Sequence, residues 1–181
     1  MTESSTVSQR GGPVLTAATR ERIQRSKELY PSARSAVLPA LWAVQDQLGF
    51  LAPEGLAEVA AALDLEPSEV EAVSTFYSMY FQHQPGRHLI QVCRNVSCAL
   101  RGSDELLRHL EGSLGVEDGE TTTDGVFTLE GTVECLGGCG GGPMMQVDRY
   151  SYENLDFEGA DRVLAEIRER PAPSPGKLSH A

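Results

Sequence analysis

The sequence predicts an α+β protein, in which an N-terminal all-helical bundle is followed by an α/β domain. Three observations lead to this fold class. Apolar residues recur at helical spacing through the first eighty positions, later segments alternate as strands do, and Pro85 and Gly86 separate the two patterns. We therefore expect a helical bundle at residues 16–84 and an α/β domain at residues 85–170.

Four helices with proline or glycine at their ends account for the bundle. Each carries an apolar stripe with the 3.6-residue period of a helix buried on one face. They are expected at residues 16–30, 35–48, 53–63 and 66–77. Gly49 marks the end of the second helix, and Pro53 and Pro67 stand in the first turns of the third and fourth. The stripe of the fourth helix predicts that Phe76 is a core residue.

Strands and helices alternate in the second domain. The strands are expected at residues 88–93, 126–135, 144–147 and 150–152. The helices are expected at residues 97–114 and 158–168. This order predicts a sheet with helices packed on it. In the third strand we expect one of Met144 and Met145 to point inward and the other to lie at the surface.

The two ends of the chain are expected to be a disordered leader, residues 1–15, and a disordered tail, residues 171–181. The leader lacks the apolar stretch of a secretory signal, and no run of eighteen apolar residues occurs, so no export and no direct membrane insertion are expected. The expected compartment is the cytoplasm, where thiols stay reduced and serve as metal ligands or catalytic groups.

The charge of the chain limits its partners. The net charge is -11, with two lysines against thirteen arginines, so no strongly basic face is available. Nucleic acid and anionic membrane surfaces are therefore not expected partners. The same charge also keeps a protein soluble, so it points to no partner by itself.

The four cysteines form two pairs that are placed to meet. Cys93 ends one predicted strand and Cys98 begins the next helix, whereas Cys135 ends another strand and Cys139 lies in a glycine-rich loop. Because two loops at one end of a sheet can converge, four thiolates can surround one point, as zinc or an iron–sulfur cluster requires. The C-x4-C and C-x3-C spacings are wider than the C-x2-C pairs of structural zinc, which favours a [2Fe–2S] cluster. Zinc, disulfides and unrelated thiols remain as alternatives.

The loop around Cys139 reads CLGGCGGGP and is almost without side chains. Its glycines can take positive φ, and they let backbone N–H groups approach sulfur, which would stabilise an anionic cluster. These glycines are Gly137, Gly138, Gly140, Gly141 and Gly142. The loop is not a nucleotide site, because Pro143 stands where a P-loop requires lysine.

The chain resembles the family of the 24-kDa [2Fe–2S] subunit of respiratory complex I, the E subunit of bacterial NADH–quinone oxidoreductase. Three stretches carry the resemblance: VEAVSTFYSMYFQHQPGRHLIQVC, VCRNVSCALRGS and VECLGGCGGGPMMQVD. It extends over about residues 20–168. It implies a thioredoxin-like second domain with one [2Fe–2S] cluster, and it implies as ligands Cys93, Cys98, Cys135 and Cys139. The all-glycine loop departs from the family pattern, which leaves ligation in place but could shift the reduction potential.

The resemblance also implies a function. The chain would be an electron-transfer subunit of NADH–quinone oxidoreductase, with no catalytic residue and no complete active site of its own. Its expected partners are the flavin-bearing, NADH-oxidising subunit, whose flavin exchanges electrons with the cluster, and the other subunits of the peripheral arm. Such a complex places the chain on the cytoplasmic face of the inner membrane.

Other functions stay open from the sequence. Related subunits of NAD-linked hydrogenases and formate dehydrogenases share the cysteine pattern. A zinc-stabilised interaction module is a further possibility, and a thioredoxin-like thiol enzyme is disfavoured because no C-x-x-C occurs. Four cysteines complete the site, so the histidines are expected to be surface or strand residues rather than ligands. They are His83, His88, His109 and His180.

Overall fold

The structure is a computed structural model that describes residues 13–171. The chain divides into two compact units between His83 and Gln84. Residues 1–12 of the predicted leader and residues 172–181 of the predicted tail lie outside the described residues. The limits assigned to each domain from the sequence stay predictions.

Within residues 13–83, the first unit has four helices and a short 3-10 turn, Ala33–Ala36, before the second of them. The helices are α1 (Ala17–Leu29), α2 (Val37–Leu48), α3 (Pro53–Leu63) and α4 (Pro67–Phe76). Local capping explains several ends: the Thr16 side chain accepts from the Thr19 N–H at 3.2 Å, and Gly49 ends α2 in the left-handed region at φ 86°. A reciprocal capping box between Glu66 and Glu69 begins α4.

The core of the first unit is aliphatic. Its largest fully buried side chains include Ile23, Leu41 and Leu63. Tyr80 is also buried, and its hydroxyl donates to the Leu38 carbonyl at 2.9 Å. The prediction that Phe76 is a core residue is wrong, since this last residue of α4 is 78% exposed.

The second unit contains a four-stranded mixed sheet in the order β2-β1-β3-β4. The strands are β1 (His88–Cys93), β2 (Phe127–Thr132), β3 (Met145–Val147) and β4 (Tyr150–Tyr152). Strand β1 runs parallel to β2, with Cys93 opposite Thr132, and antiparallel to β3, which in turn is antiparallel to β4. The carboxyl ends of β1 and β2 therefore lie at the same end of the sheet, as does the start of β3.

Within residues 84–171, the second unit has three helices: α5 (Val96–Ala99), α6 (Ser103–Leu114) and α7 (Phe157–Arg168). Leu106 and Leu110 of α6 and Leu164 of α7 share one buried cluster with Ile90 and Phe127 of the sheet. This mixture of a helical unit and a sheet with packed helices confirms the predicted α+β class.

Two elements differ from their predictions. The helix expected at residues 97–114 is broken into α5 and α6, because Gly102 adopts φ +94° between them. The strand expected at residues 126–135 ends at Thr132, whose carbonyl accepts from the Arg94 N–H at 2.7 Å. Since its partner β1 stops at Cys93, the ladder does not extend to Cys135.

A helix that crosses a bilayer must be both long and apolar. Within residues 13–171, no helix meets both requirements.

Candidate metal centre

The sheet topology brings two cysteine-bearing segments to one place. Cys93 is the last residue of β1, and Cys98 lies in α5, which follows after a short turn. Both side chains are 1% exposed. The segment that carries Cys135 and Cys139 leaves the carboxyl end of β2 and returns at the start of β3, where the Met144 carbonyl accepts from the Cys93 N–H at 3.2 Å.

The second pair of cysteines lies at the surface. Cys135 and Cys139 are both exposed, and their Sγ atoms are 3.2 Å apart. Cys139 begins a single 3-10 turn, Cys139–Gly141, which is closed by the Gly141 N–H donating to the Gly138 carbonyl at 3.0 Å. Gly137, between the two cysteines, has φ +89° and thus requires glycine.

Each of the four thiols interacts with at least one of the others. The Cys98 thiol interacts with Cys93, and the Cys135 thiol interacts with both Cys93 and Cys139. The structure therefore brings together the four residues that spacing selected. Within residues 13–171, however, no group of three or more His, Cys, Asp or Glu side chains is placed so that it could hold one metal ion.

The environment of each thiol decides how easily it ionises. Burial raises the pKa of the Cys98 thiol to about 11, and the neighbouring Cys93 thiol adds to this rise, whereas the Met144 N–H opposes it. The Gly137 N–H and then the Cys139 thiol lower the pKa of Cys135. The same contact raises the pKa of Cys139, so Cys135 is the more acidic thiol of the exposed pair.

Most glycines of the loop are needed because a Cβ would contact neighbouring atoms, and not because the backbone adopts positive φ. Of the five, Gly137 alone has φ in the left-handed region. A Cβ on Gly138 would stand 2.5 Å from Met144 Sδ, and one on Gly142 would stand 3.1 Å from Cys98 Sγ. Gly141 is closely covered by the side chain of Glu153, whereas a Cβ on Gly140 would meet no atom within 4 Å. Of the two uses predicted for these glycines, positive φ is therefore observed at Gly137, and space left by the missing Cβ is observed at Gly138, Gly141 and Gly142.

Side chains from α5 and the turn after it fasten the glycine loop. Ser97 Oγ donates to the Cys139 carbonyl at 2.9 Å. Arg101 Nη1 donates to the carbonyls of Gly140 and Gly142, each at 3.1 Å. These contacts hold the second cysteine pair against the first. Both residues are close to Cys98 in the sequence, but no local pattern marks either of them as a partner of the loop.

The segment after β4 holds the loop from another direction. The Asn154 N–H donates to the Gly141 carbonyl at 2.5 Å, and the Leu155 N–H donates to the Pro143 carbonyl at 3.1 Å. Met144 and Met145 are both fully buried, so the expectation that one of them lies at the surface is wrong. Residues 153–155 were missed from the sequence, because no local pattern marks them as neighbours of Cys139.

The two histidines of the second unit that the structure describes have other partners. His88 Nδ1 lies 2.8 Å from Asp148 Oδ2, and His109 Nε2 lies 2.9 Å from Asp161 Oδ1. His88 begins β1 and Cys93 ends it, so they stand at opposite ends of one strand. His180 lies outside the described residues.

The donor set fits a [2Fe–2S] cluster. Four thiols are the ligands that such a cluster takes, and backbone N–H groups of Gly137 and Met144 are directed at two of them. Bare backbone at Gly138 and Gly142 allows the two cysteine segments to pack closely. Nothing in this arrangement needs a ligand from outside the four cysteines.

Comparison with known proteins agrees with this geometry. The sequence model of the thioredoxin-like [2Fe–2S] ferredoxin family matches residues 23–168. The second E subunit of NADH-quinone oxidoreductase from Rhizobium meliloti is 44% identical over 166 residues, which cover 87% of this chain and 98% of the relative. The E subunit of the same oxidoreductase from Salmonella typhimurium is 39% identical over 150 residues, covering 83% of this chain and 90% of the relative.

A solved structure of an NAD+-reducing [NiFe]-hydrogenase in its H2-reduced state is also similar. The two share 26% identity with a TM-score of 0.65, over 78% of this chain and 24% of the hydrogenase chain. This chain thus spans about a quarter of the length of that protein. The predicted thioredoxin-like fold and the predicted single [2Fe–2S] cofactor are confirmed by the family match. The chain belongs to the thioredoxin-like [2Fe–2S] ferredoxin family.

Proposed function

We propose that this chain is an electron-transfer subunit of an NADH-oxidising complex of the NADH–quinone oxidoreductase type. The observation that carries this proposal is the meeting of four thiols at one end of the sheet, two buried and two exposed. Relatives named as the E subunit of that oxidoreductase, at 39–44% identity, support it. A buried pair anchors the site in the protein, and an exposed pair gives it an edge at the surface.

The proposed ligands are the four cysteines of the family pattern. Cys93 and Cys98 would hold one iron, and Cys135 and Cys139, whose Sγ atoms are 3.2 Å apart, would hold the other. A [2Fe–2S] cluster accepts and releases one electron at a time. The chain's own contribution is to hold the four thiols in place, to supply backbone N–H groups of Met144 and Gly137 to Cys98 and Cys135, and to cover Cys93 and Cys98 from water.

The electron partner is proposed to be a flavin on another subunit. The glycine loop lacks the lysine of a P-loop, and no other nucleotide motif occurs in the sequence, so NADH is expected to bind elsewhere in the complex. The exposed thiols of Cys135 and Cys139 mark the edge through which electrons would pass. In such a complex the chain would sit at the cytoplasmic face of the inner membrane without entering it.

A second candidate is the equivalent subunit of an NAD-linked hydrogenase. The similarity to an NAD+-reducing [NiFe]-hydrogenase, with a TM-score of 0.65, favours it specifically. The two candidates share the cluster and the flavin partner, and they differ in the final acceptor. Identification of the subunits that purify with the native chain separates them.

The proposed function is tested by spectroscopy on anaerobically purified protein. We expect visible absorption and, after reduction, an electron paramagnetic resonance signal of the [2Fe–2S] type, with two irons per chain. Cys139→Ser should lose or alter this signal, whereas the neighbouring Gly140→Ala should keep it, because a Cβ there meets no atom within 4 Å. A colourless protein with bound zinc and no iron would refute the proposal and favour an interaction module.

A further inference from the structure

Glu153 is the first residue after β4, and its side chain lies on the glycine loop. A Cβ on Gly138 would stand 3.2 Å from Glu153 Oε1, and one on Gly141 would stand 2.7 Å from Glu153 Cβ. The carboxylate therefore occupies the space that these glycines leave open. The backbone beside Glu153 is fixed as well, because the next two N–H groups bind the carbonyls of Gly141 and Pro143.

This position puts a negative charge next to the exposed half of the site. Gly138 precedes Cys139 and Gly141 follows it by two residues, so the carboxylate lies beside the segment that carries this thiol. A glutamate side chain is a carboxylate at neutral pH. A negative charge near a group that gains an electron disfavours the reduced form, and the effect is partly screened at an exposed position.

Arg101 brings a positive charge to the same loop. Arg101 donates to the carbonyls of Gly140 and Gly142. Its guanidinium would favour the reduced form, so the loop carries two charges that act in opposite directions. Arg101 also fastens the loop through these hydrogen bonds, whereas the contact of Glu153 with the loop is one of close packing. The charge of Glu153 can therefore be removed without removing a hydrogen bond that holds the loop.

We propose that Glu153 is a positioning residue that lowers the reduction potential of the centre through its carboxylate, packed on Gly138 and Gly141. This inference rests on the proposed function, since it requires the [2Fe–2S] cluster. It assigns a role to a residue outside the four-cysteine pattern. It also gives the bare backbone at Gly138 and Gly141 a purpose, which is to admit a charged side chain close to Cys139.

The test is a redox titration, followed by electron paramagnetic resonance, of the holoprotein and three variants. Glu153→Gln keeps the shape and removes the charge, so we expect a higher midpoint potential with an unchanged cluster content. Glu153→Asp keeps the charge and should stay close to the unmodified protein. Glu169→Gln removes an exposed glutamate at the far end of α7 and should leave the potential unchanged.

Ionic strength supplies a readout that a merely structural role would not move. The difference in potential between the unmodified protein and Glu153→Gln should narrow as salt is raised, because salt screens exposed charges. An unchanged potential in Glu153→Gln, beside a normal [2Fe–2S] spectrum, would overturn this inference alone. A purified protein with no [2Fe–2S] spectrum would overturn the proposed function and this inference together.

Discussion

The Sγ atoms of Cys135 and Cys139 lie 3.2 Å apart at the surface, while the other two thiols of the centre are buried. Although the two are so close, their acidities differ. The N–H of Gly137 lowers the pKa of Cys135, and the contact with Cys135 raises the pKa of Cys139. The exposed pair therefore has one thiol that ionises first.

This difference predicts the order in which the thiols of the metal-free chain react. Cys135 should be alkylated first by iodoacetamide, because the thiolate is the reactive form. Cys98 should be last, since it is buried and its pKa is raised to about 11. Near neutral pH, the fraction of Cys98 present as thiolate is then roughly two orders of magnitude below that of an ordinary thiol. Mass spectrometry of peptides at timed intervals gives the order, and early labelling of Cys98 would contradict the structure.

Arg101 is predicted to control how long the centre keeps its cluster. Arg101→Met removes the hydrogen bonds to the carbonyls of Gly140 and Gly142. Each is expected to contribute about 1 kcal/mol, or roughly a fivefold change in an equilibrium or a rate. The visible absorption of the variant should therefore decay at least about fivefold faster in the presence of an iron chelator.

Arg108→Met is the matched control for that variant. Arg108 is an exposed arginine on α6 whose guanidinium bonds to Glu105 and to the carbonyl of Asp104, within its own helix. Its loss should leave cluster decay unchanged. Equal decay rates in the Arg101 and Arg108 variants would show that the loop is not fastened by Arg101.

The Glu153 side chain packs closely on Gly141, so we expect alanine to destabilise the protein much more at Gly141 than at Gly140. Gly141→Ala would force its Cβ against the Glu153 side chain, which we expect to cost about 1–3 kcal/mol and to lower the melting temperature by several degrees. Gly140→Ala should be nearly neutral, because its Cβ meets no atom within 4 Å. Both can be measured on the metal-free chain by thermal denaturation.

A double variant tests whether contact with Glu153 is what destabilises Gly141→Ala. If Glu153 is what the new methyl group meets, Gly141→Ala combined with Glu153→Ala should recover part of the lost stability. The two changes should then be less than additive. Strict additivity, or equal melting temperatures of Gly140→Ala and Gly141→Ala, would mean that the loop shifts freely away from Glu153.

The cysteine site was predictable from the sequence because its determinants are local. Strand β1 alternates and ends at Cys93 as expected, and the two cysteine pairs follow strands whose carboxyl ends meet at one end of the sheet. The break at Gly102 was not predicted, because the apolar spacing of the two helices continues across it and hides the positive φ. Spacing reports which residues can share a face, but not whether the helix is continuous between them.

The burial of some residues depends on their tertiary neighbours and could not be predicted from the sequence. Met145 pairs with Val92 of β1 on one side and with Tyr152 of β4 on the other, so a three-residue strand in mid-sheet buries more than its alternation suggests. Phe76 follows the helical stripe but is the last residue of α4 and is exposed. Glu153 reaches Gly141 only after folding, so its place beside the centre leaves no trace in local sequence.

Glu130 predicts a pH-dependent contribution to stability. It lies opposite Gln91 in the parallel pair of strands, and Gln91 Nε2 donates to its Oε2 at 3.1 Å. Burial raises the pKa of the Glu130 carboxyl; Gln91 opposes the rise, and the charges of Asp118 and Glu134 add to it. A carboxyl whose pKa is raised by folding stabilises the folded state below its unfolded pKa, about 4.3, and loses this contribution as the pH rises through the folded pKa.

Glu130→Gln keeps the size of the side chain and does not titrate. Its stability relative to the unmodified protein should therefore increase from about pH 4 to about pH 7, because only the glutamate must hold a charge in a half-buried place at neutral pH. Urea denaturation of both proteins at a series of pH values measures the difference, and the comparison near pH 4 is the internal control. A difference that stays constant across this range, or that falls toward neutral pH, would show that the carboxyl of Glu130 is not penalised by burial.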